Sequence, residues 1–201
     1  LEFLLFDETL MQAGNPNYHC TLVQPIAADI AANAHAINDD WVNGYSDVLL
    51  SPGTDAIYRS DQEVLQEMLK ALTTGLQFTQ DSRLGRPLGT FDRPRPTRAE
   101  AWRAGRSAAH VMHSLAALED LAFHLAKPDP ALSQTLKGQF QDAHSRLADL
   151  NDPIFAGVAM PQSRIKVEVI SQTIRTIRST VQTELGPTLG VAAGFNSLDG
   201  D

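Results

Sequence analysis

Apolar residues recur at steps of three and four along four long stretches of this chain. That period admits a helix and excludes a strand, whose side chains alternate faces at every residue. From His19 to about Gly44 the series is Leu22, Ile26, Ile30, Ala34, Ile37 and Trp41, which predicts one inward-facing stripe with a polar opposite face. Asp61 reads as the N-cap of a second helix to roughly Thr79, with Val64, Leu65, Met68, Leu69, Leu72 and Leu76 as its apolar face. Thr97 with Glu100 forms a capping box opening a third, to about Ala126, where Lys127-Pro128 stops it. Trp102, Gly105, Ala109, Met112, Leu115 and Leu118 mark its buried side. The fourth spans about Pro130 to Leu150 through Leu132, Leu136, Phe140, Ala143 and Leu147, closed by Asn-Asp-Pro at 151–153. A fifth helix is expected from about Pro161 to Leu185.

Turn-forming sequences separate these stretches. Ala-Gly-Asn-Pro-Asn occupies 13–17, Ser-Pro-Gly occupies 51–53, and residues 83–96 hold three prolines and two glycines, which predicts a loop without a regular element. The fold expected is therefore all-α: an antiparallel helical bundle of four to five long helices, with an irregular C-terminal tail from Gly186 to Asp201. The opening LEFLLF has no Ser, Thr, Asp or Asn cap before it, so Leu1–Met11 reads as the tail of a helix that begins upstream. On that expectation residues 1–11 continue a missing N-terminal part, and 19–201 form the bundle and its tail.

Charge narrows the function. With 201 residues, a net charge of −8 and a pI near 5.1, the chain lacks the basic surface that neutralising a phosphate backbone requires, so nucleic acid is excluded as a partner. No apolar run approaches the ~20 residues that span a bilayer. The lone Cys20 has no cysteine partner, and the chain has no spaced Cys and His set of the kind that holds structural zinc.

Within this acidic chain, seven arginines lie between Arg83 and Arg106 against only Asp92 and Glu100. Guanidinium forks match carboxylates and phosphates bidentately, so this run suits an anionic ligand; it suits equally well an internal strap of ion pairs to Asp199, Asp201 and Glu2. Arg103 and Arg106, three apart on the predicted helix, would share one face with Ser107 alongside, and Gly105 would let a second backbone come close. His110 and His113 have a spacing that presents two imidazoles to one metal. Ala116 and Ala117 occupy the next turn, however, and solvated or core-edge histidines are the simpler reading. The Asn196-Ser-Leu-Asp199-Gly-Asp201 run offers oxygen ligands without the acidic spacing of a calcium loop and reads first as a capped turn. No His-Glu-x-x-His helix and no nucleophile with a positioned base is present, and the adjacent His19 and Cys20 point in different directions on a helix.

Three ordered segments carry a family resemblance: LEFLLF at the start, PLG followed by EAWRAGRS in the middle, and LGVAAGFNSLDGD at the end. Together they resemble the imelysin family of bacterial proteins tied to iron acquisition and sometimes classed as peptidases. Family members carry a GxHxxE motif in an all-helical fold of two related parts, with the functional site where the parts meet. Glu2 matches the final Glu of that motif and stands as the expected metal ligand. Trp102-Arg103-Ala104-Gly105-Arg106-Ser107 matches the family's WRSGRS pattern with Ala104 where Ser is usual, and Gly194, Phe195, Asn196, Asp199, Gly200 and Asp201 match its tail. The resemblance thus implies a ligand-binding set of Arg103, Arg106, Ser107, Asn196 and Asp199. It implies iron, haem or an anionic iron complex as ligand, and the missing N-terminal part as partner. A periplasmic or outer-membrane-associated location follows from the same source. A metallopeptidase built on GxHxxE and a helical interaction scaffold are the alternative functions.

Overall fold

The computed structural model of the chain describes residues 1–54 and 56–191. It divides after Val64 into two units, Leu1–Val64 and Leu65–Asp201. Every regular element among the described residues is helical, as the apolar period predicts, and the nearest approach to a strand is an isolated bridge between Thr90 and Arg93.

In the first unit, the opening segment is two short helices, α1 (Glu2–Phe6) and α2 (Glu8–Gln12), where the sequence suggested one continuous tail. Asp7 breaks them: its backbone is extended and its carboxylate accepts from the Leu10 N–H, so it ends one helix and caps the next. Helix α3 (Pro16–Asp40) starts earlier than expected, because Asn15 accepts from the Asn17 N–H and Pro16 supplies a pre-set first position. A wide π-type turn over Trp41–Tyr45 leads into α4 (Ser46–Leu50). The stripe expected to face inward does not. Leu22 and Ile26 are half-buried, while Ile30, Ala34, Ile37 and Trp41 are exposed, Ile37 at 72% and Trp41 at 50%.

The second unit carries the core. Helix α5 (Asp61–Phe78) is capped by Ser60, whose hydroxyl accepts from the Glu63 N–H at 3.3 Å, and not by Asp61 as the sequence suggested. Its Leu69, Leu72 and Leu76 are buried. A second π-type turn (Thr79–Leu84) and the single turn α6 (Gly85–Leu88) continue it into what reads in sequence as pure loop. Gly89 then stops the chain at φ +56°, and a Cβ there would strike the Arg93 carbonyl. The buried Arg164 fixes this corner from across the unit, donating to the Leu88 carbonyl at 2.6 Å and the Thr90 carbonyl at 3.3 Å.

The third helix starts nine residues later than the capping box predicts, its N-cap being Arg106 and not Thr97. Residues 96–98 make one 3₁₀ turn, Ala101 and Gly105 take left-handed backbone at φ +50° and +67°, and α7 spans Ser107–Leu125. Trp102, Arg103, Gly105 and Arg106 therefore precede the helix, and the two arginines do not share a helix face. Local backbone bonds from the Gly105 N–H to the Trp102 carbonyl and from the Arg106 N–H to the Ala101 carbonyl close this stretch into turns.

Helices α8 (Pro130–Leu150) and α9 (Pro161–Thr180) match expectation closely. Asp129 caps α8 through the Ala131 and Leu132 N–H groups, and Asn151 ends it in left-handed backbone. A third π-type turn (Val181–Leu185) and α10 (Gly186–Thr188) extend α9. Short links at 126–129 and 151–160 make α7, α8 and α9 antiparallel neighbours, and α5 closes against α7, where Gly75 brings the backbone onto Leu118. Leu115, Leu136, Phe140, Ile170, Ile174 and Ile177 fill the interior between them.

Candidate functional site

Geometry in the second unit centres on the segment before α7. Arg83, carried by the π-type turn after α5, donates from Nε to Glu100 Oε2 and from Nη1 to Ser114 Oγ, each at 2.8 Å. Thr79 donates its hydroxyl to the Gly75 carbonyl at 2.8 Å, so Ser114, 3.1 Å away, donates to Thr79 in turn. A directed chain results, Arg83 to Ser114 to Thr79 to Gly75, with the Ser114 proton committed away from any base. Ser114 is thereby a structural hydroxyl, not a nucleophile.

Glu100 sits between the Arg83 guanidinium and the His110 imidazole, whose Nδ1 lies 3.7 Å from Oε1. Partial burial alone would raise its carboxyl pKa; the hydrogen bond and charge of Arg83, with a smaller share from His110, outweigh that and hold it below the ordinary value. Arg83 also lies over the Phe78 ring, 5.0 Å from its centroid, and borders an open groove of about 430 Å³ with Glu67, Lys70 and Gly75. In sequence, Arg83 and Glu100 belong to the basic run, whereas Thr79 and Ser114 stand outside every motif. Their one signal there is that Ser114 follows His110 by one helical turn.

Arg103, Arg106 and Ser107, three of the residues expected to bind a ligand, lie together in the turns leading into α7. Arg103 is stacked on its neighbour Trp102, 4.4 Å from Cζ to ring centroid. Arg106 is the N-cap residue of α7 and exposed; Ser107 is its first residue and 2% exposed. Glu2 is half-buried in the first turn of α1, in the other unit. Asn196 and Asp199, with the expected tail strap, lie outside the described residues. His110 is engaged with Glu100, whereas His113 is exposed. His144 on α8 faces Glu119 Oε2 at 3.1 Å and Met112 Sδ at 3.0 Å on α7, a tie between two helices.

Among the described residues no three His, Cys, Asp or Glu side chains come together as a metal would need. Glu2 supplies one carboxylate, so these residues do not by themselves fit a resident metal ion. Cys20 is exposed, and the neighbouring His19 is bound to the Leu4 carbonyl. No helix among the described residues is long and apolar enough to cross a membrane.

The second unit is thus all-helical among the described residues, with an arginine-bearing turn ahead of a buried serine. The family model for imelysin matches residues 1–181, and the chain belongs to the imelysin family. Imelysin-family proteins are generally extracytoplasmic. No curated protein and no solved structure matches the chain.

Proposed function

We propose that this chain is the C-terminal part of an imelysin-like cell-envelope protein, periplasmic or outer-membrane-associated, that serves bacterial iron acquisition by binding iron, haem or an anionic iron complex. The observation that carries the reading is the arginine-rich segment: seven arginines from Arg83 to Arg106, of which Arg106 stands exposed at the start of α7. Arginine suits the carboxylates of haem or of a carboxylate chelator, since its planar fork pairs with them bidentately. Glu2, at the position of the family motif's last Glu, is the one residue of this chain assigned to a metal.

Metal analysis of the full-length protein, with iron and haem titrations followed by absorbance, tests this. The expected result is stoichiometric iron or saturable haem binding that Arg106→Ala or Glu2→Ala weakens while helicity is unchanged. Absence of both would overturn it. Proteolysis of an unstructured substrate, abolished by chelator and by Glu2→Ala, would instead support the metallopeptidase reading, for which the family's peptidase classification is the motive. The helical scaffold has no specific observation in its favour.

A further inference from the structure

Met112 and Glu119 stand seven residues apart on α7, two helical turns along one face, and His144 of α8 lies across from both. Its ring spans them: Nε2 is 3.1 Å from Glu119 Oε2, and Nδ1 is 3.0 Å from Met112 Sδ. An ionised carboxylate only accepts hydrogen bonds, so this partner assigns the ring proton to Nε2. In the neutral imidazole Nδ1 then keeps a bare lone pair. It faces a thioether sulfur, which has lone pairs of its own and no hydrogen to donate.

Two electron-pair donors held 3.0 Å apart are satisfied by a cation that both can bind. A proton on Nδ1 fills the same gap, so a metal ion would bind in exchange for it. Glu119 supplies the outer partner that metal-bound histidines use, a carboxylate on the second ring nitrogen that fixes the tautomer and makes the ligating nitrogen more basic. With that carboxylate engaged on Nε2, an ion beside Nδ1 meets one nitrogen and one sulfur. This is a soft donor pair: it suits copper(I), whereas zinc calls for thiolates or several imidazoles, and calcium and magnesium for oxygen. Copper(I) and silver(I) accept low coordination numbers, so two protein ligands and a solvent molecule suffice. The pair is open to solvent, since the His144 side chain is 23% exposed and Met112 is half-buried. The three rotatable bonds of Met112 let its sulfur draw back to admit an ion.

We infer that Met112 and His144 form a binding site for a soft monovalent metal ion, copper(I) in biological terms, with Glu119 as the positioning residue behind the imidazole. The site shares no residue with Glu2 or with the arginine segment, and it stands or falls separately from the iron reading.

Silver(I), a redox-inert stand-in for copper(I), is the probe. It is added as the nitrate, in chloride-free buffer, to the full-length protein carrying Cys20→Ser, because the exposed thiol would compete for it. Methionine methyl and histidine ring resonances read the site directly. The expected result is a saturable shift of the Met112 methyl together with the His144 ring. Met112→Leu conserves side-chain volume, so it should leave Tm nearly unchanged while weakening the His144 response by about tenfold or more. His144→Gln keeps a donor for Glu119 and should weaken the Met112 response to the same degree. Glu119→Gln should lower silver affinity by about tenfold with both resonances still responding, and an unchanged affinity would remove Glu119 from the positioning role. Copper(I), kept reduced by ascorbate, should reproduce the silver shifts, and zinc(II) should not. A Met112 methyl that does not shift saturably, or whose response survives His144→Gln, would overturn the site. Zinc(II) binding as tightly as silver(I), or copper(I) producing no shift, would overturn its assignment to a soft ion.

Discussion

At the scale of single residues, Glu100 shows how a half-exposed carboxylate is held. Its side chain is 46% accessible, so its pairing with Arg83 is screened by solvent and should contribute only about 1 kcal/mol or less. Because its folded pKa lies below the ordinary value, it stabilises the fold above the unfolded carboxyl pKa of about 4.3, and that contribution disappears as pH falls through the lower folded pKa. Glu100→Gln should therefore lower Tm slightly at pH 7 and leave it equal to the parent in acid. A pH series of thermal melts on both proteins checks the convergence; a Tm gap that stays constant into acid would mean that shape and not charge is lost. Arg83 has a second role that this substitution spares, since its hydrogen bond to Ser114 remains.

At the scale of elements, α8 and α3 make opposite use of the same apolar period. Phe140 on α8 is fully buried between α7 and α9, and Phe140→Ala should cost about 3–5 kcal/mol. Ile37 on α3, 72% exposed, should tolerate Ala within about 0.5 kcal/mol in this chain. Urea denaturation of both variants measures the contrast, and an Ile37→Ala loss comparable to that of Phe140→Ala would show that the α3 stripe is buried in solution. The sequence alone could not separate these two helices, because periodicity reports that one face is apolar and not whether anything covers it. Helix α8 is legible to the residue because Asp129, Pro130 and Asn151 are local signals that act on their own backbone. The start of α7 is not, because Thr97 and Glu100 imitate such a signal. The tertiary partners that decide the matter, Arg83 for Glu100 and Pro153 for Ala108, lie 17 and 45 positions away. With the start displaced, Arg103 and Arg106 leave the helix face on which their spacing would have set them. The family motif still keeps these residues together with Ser107, although not in the arrangement that helix spacing implies.

At the scale of the whole chain, charge and burial are divided unequally. The first 64 residues contain ten acidic side chains against Arg59 alone, whereas the basic run and every buried hydrophobic residue named in the core belong to the second unit. A 25-residue helix whose apolar face is largely uncovered has little beyond its own hydrogen bonds to hold it, and isolated helices are marginal in water. Pro25 inside α3 removes one of those bonds. Mutual repulsion among the carboxylates of the first unit acts in the same direction, and salt screens it over about 10 Å at 0.1 M. Amide hydrogen exchange should accordingly find α3 far less protected than α8 and α9, with α3 protection rising as sodium chloride is added and that of the buried helices barely changing. Uniform protection across both units would mean that the first is held by contacts its own residues do not supply. Equal salt response everywhere would assign the difference to packing alone.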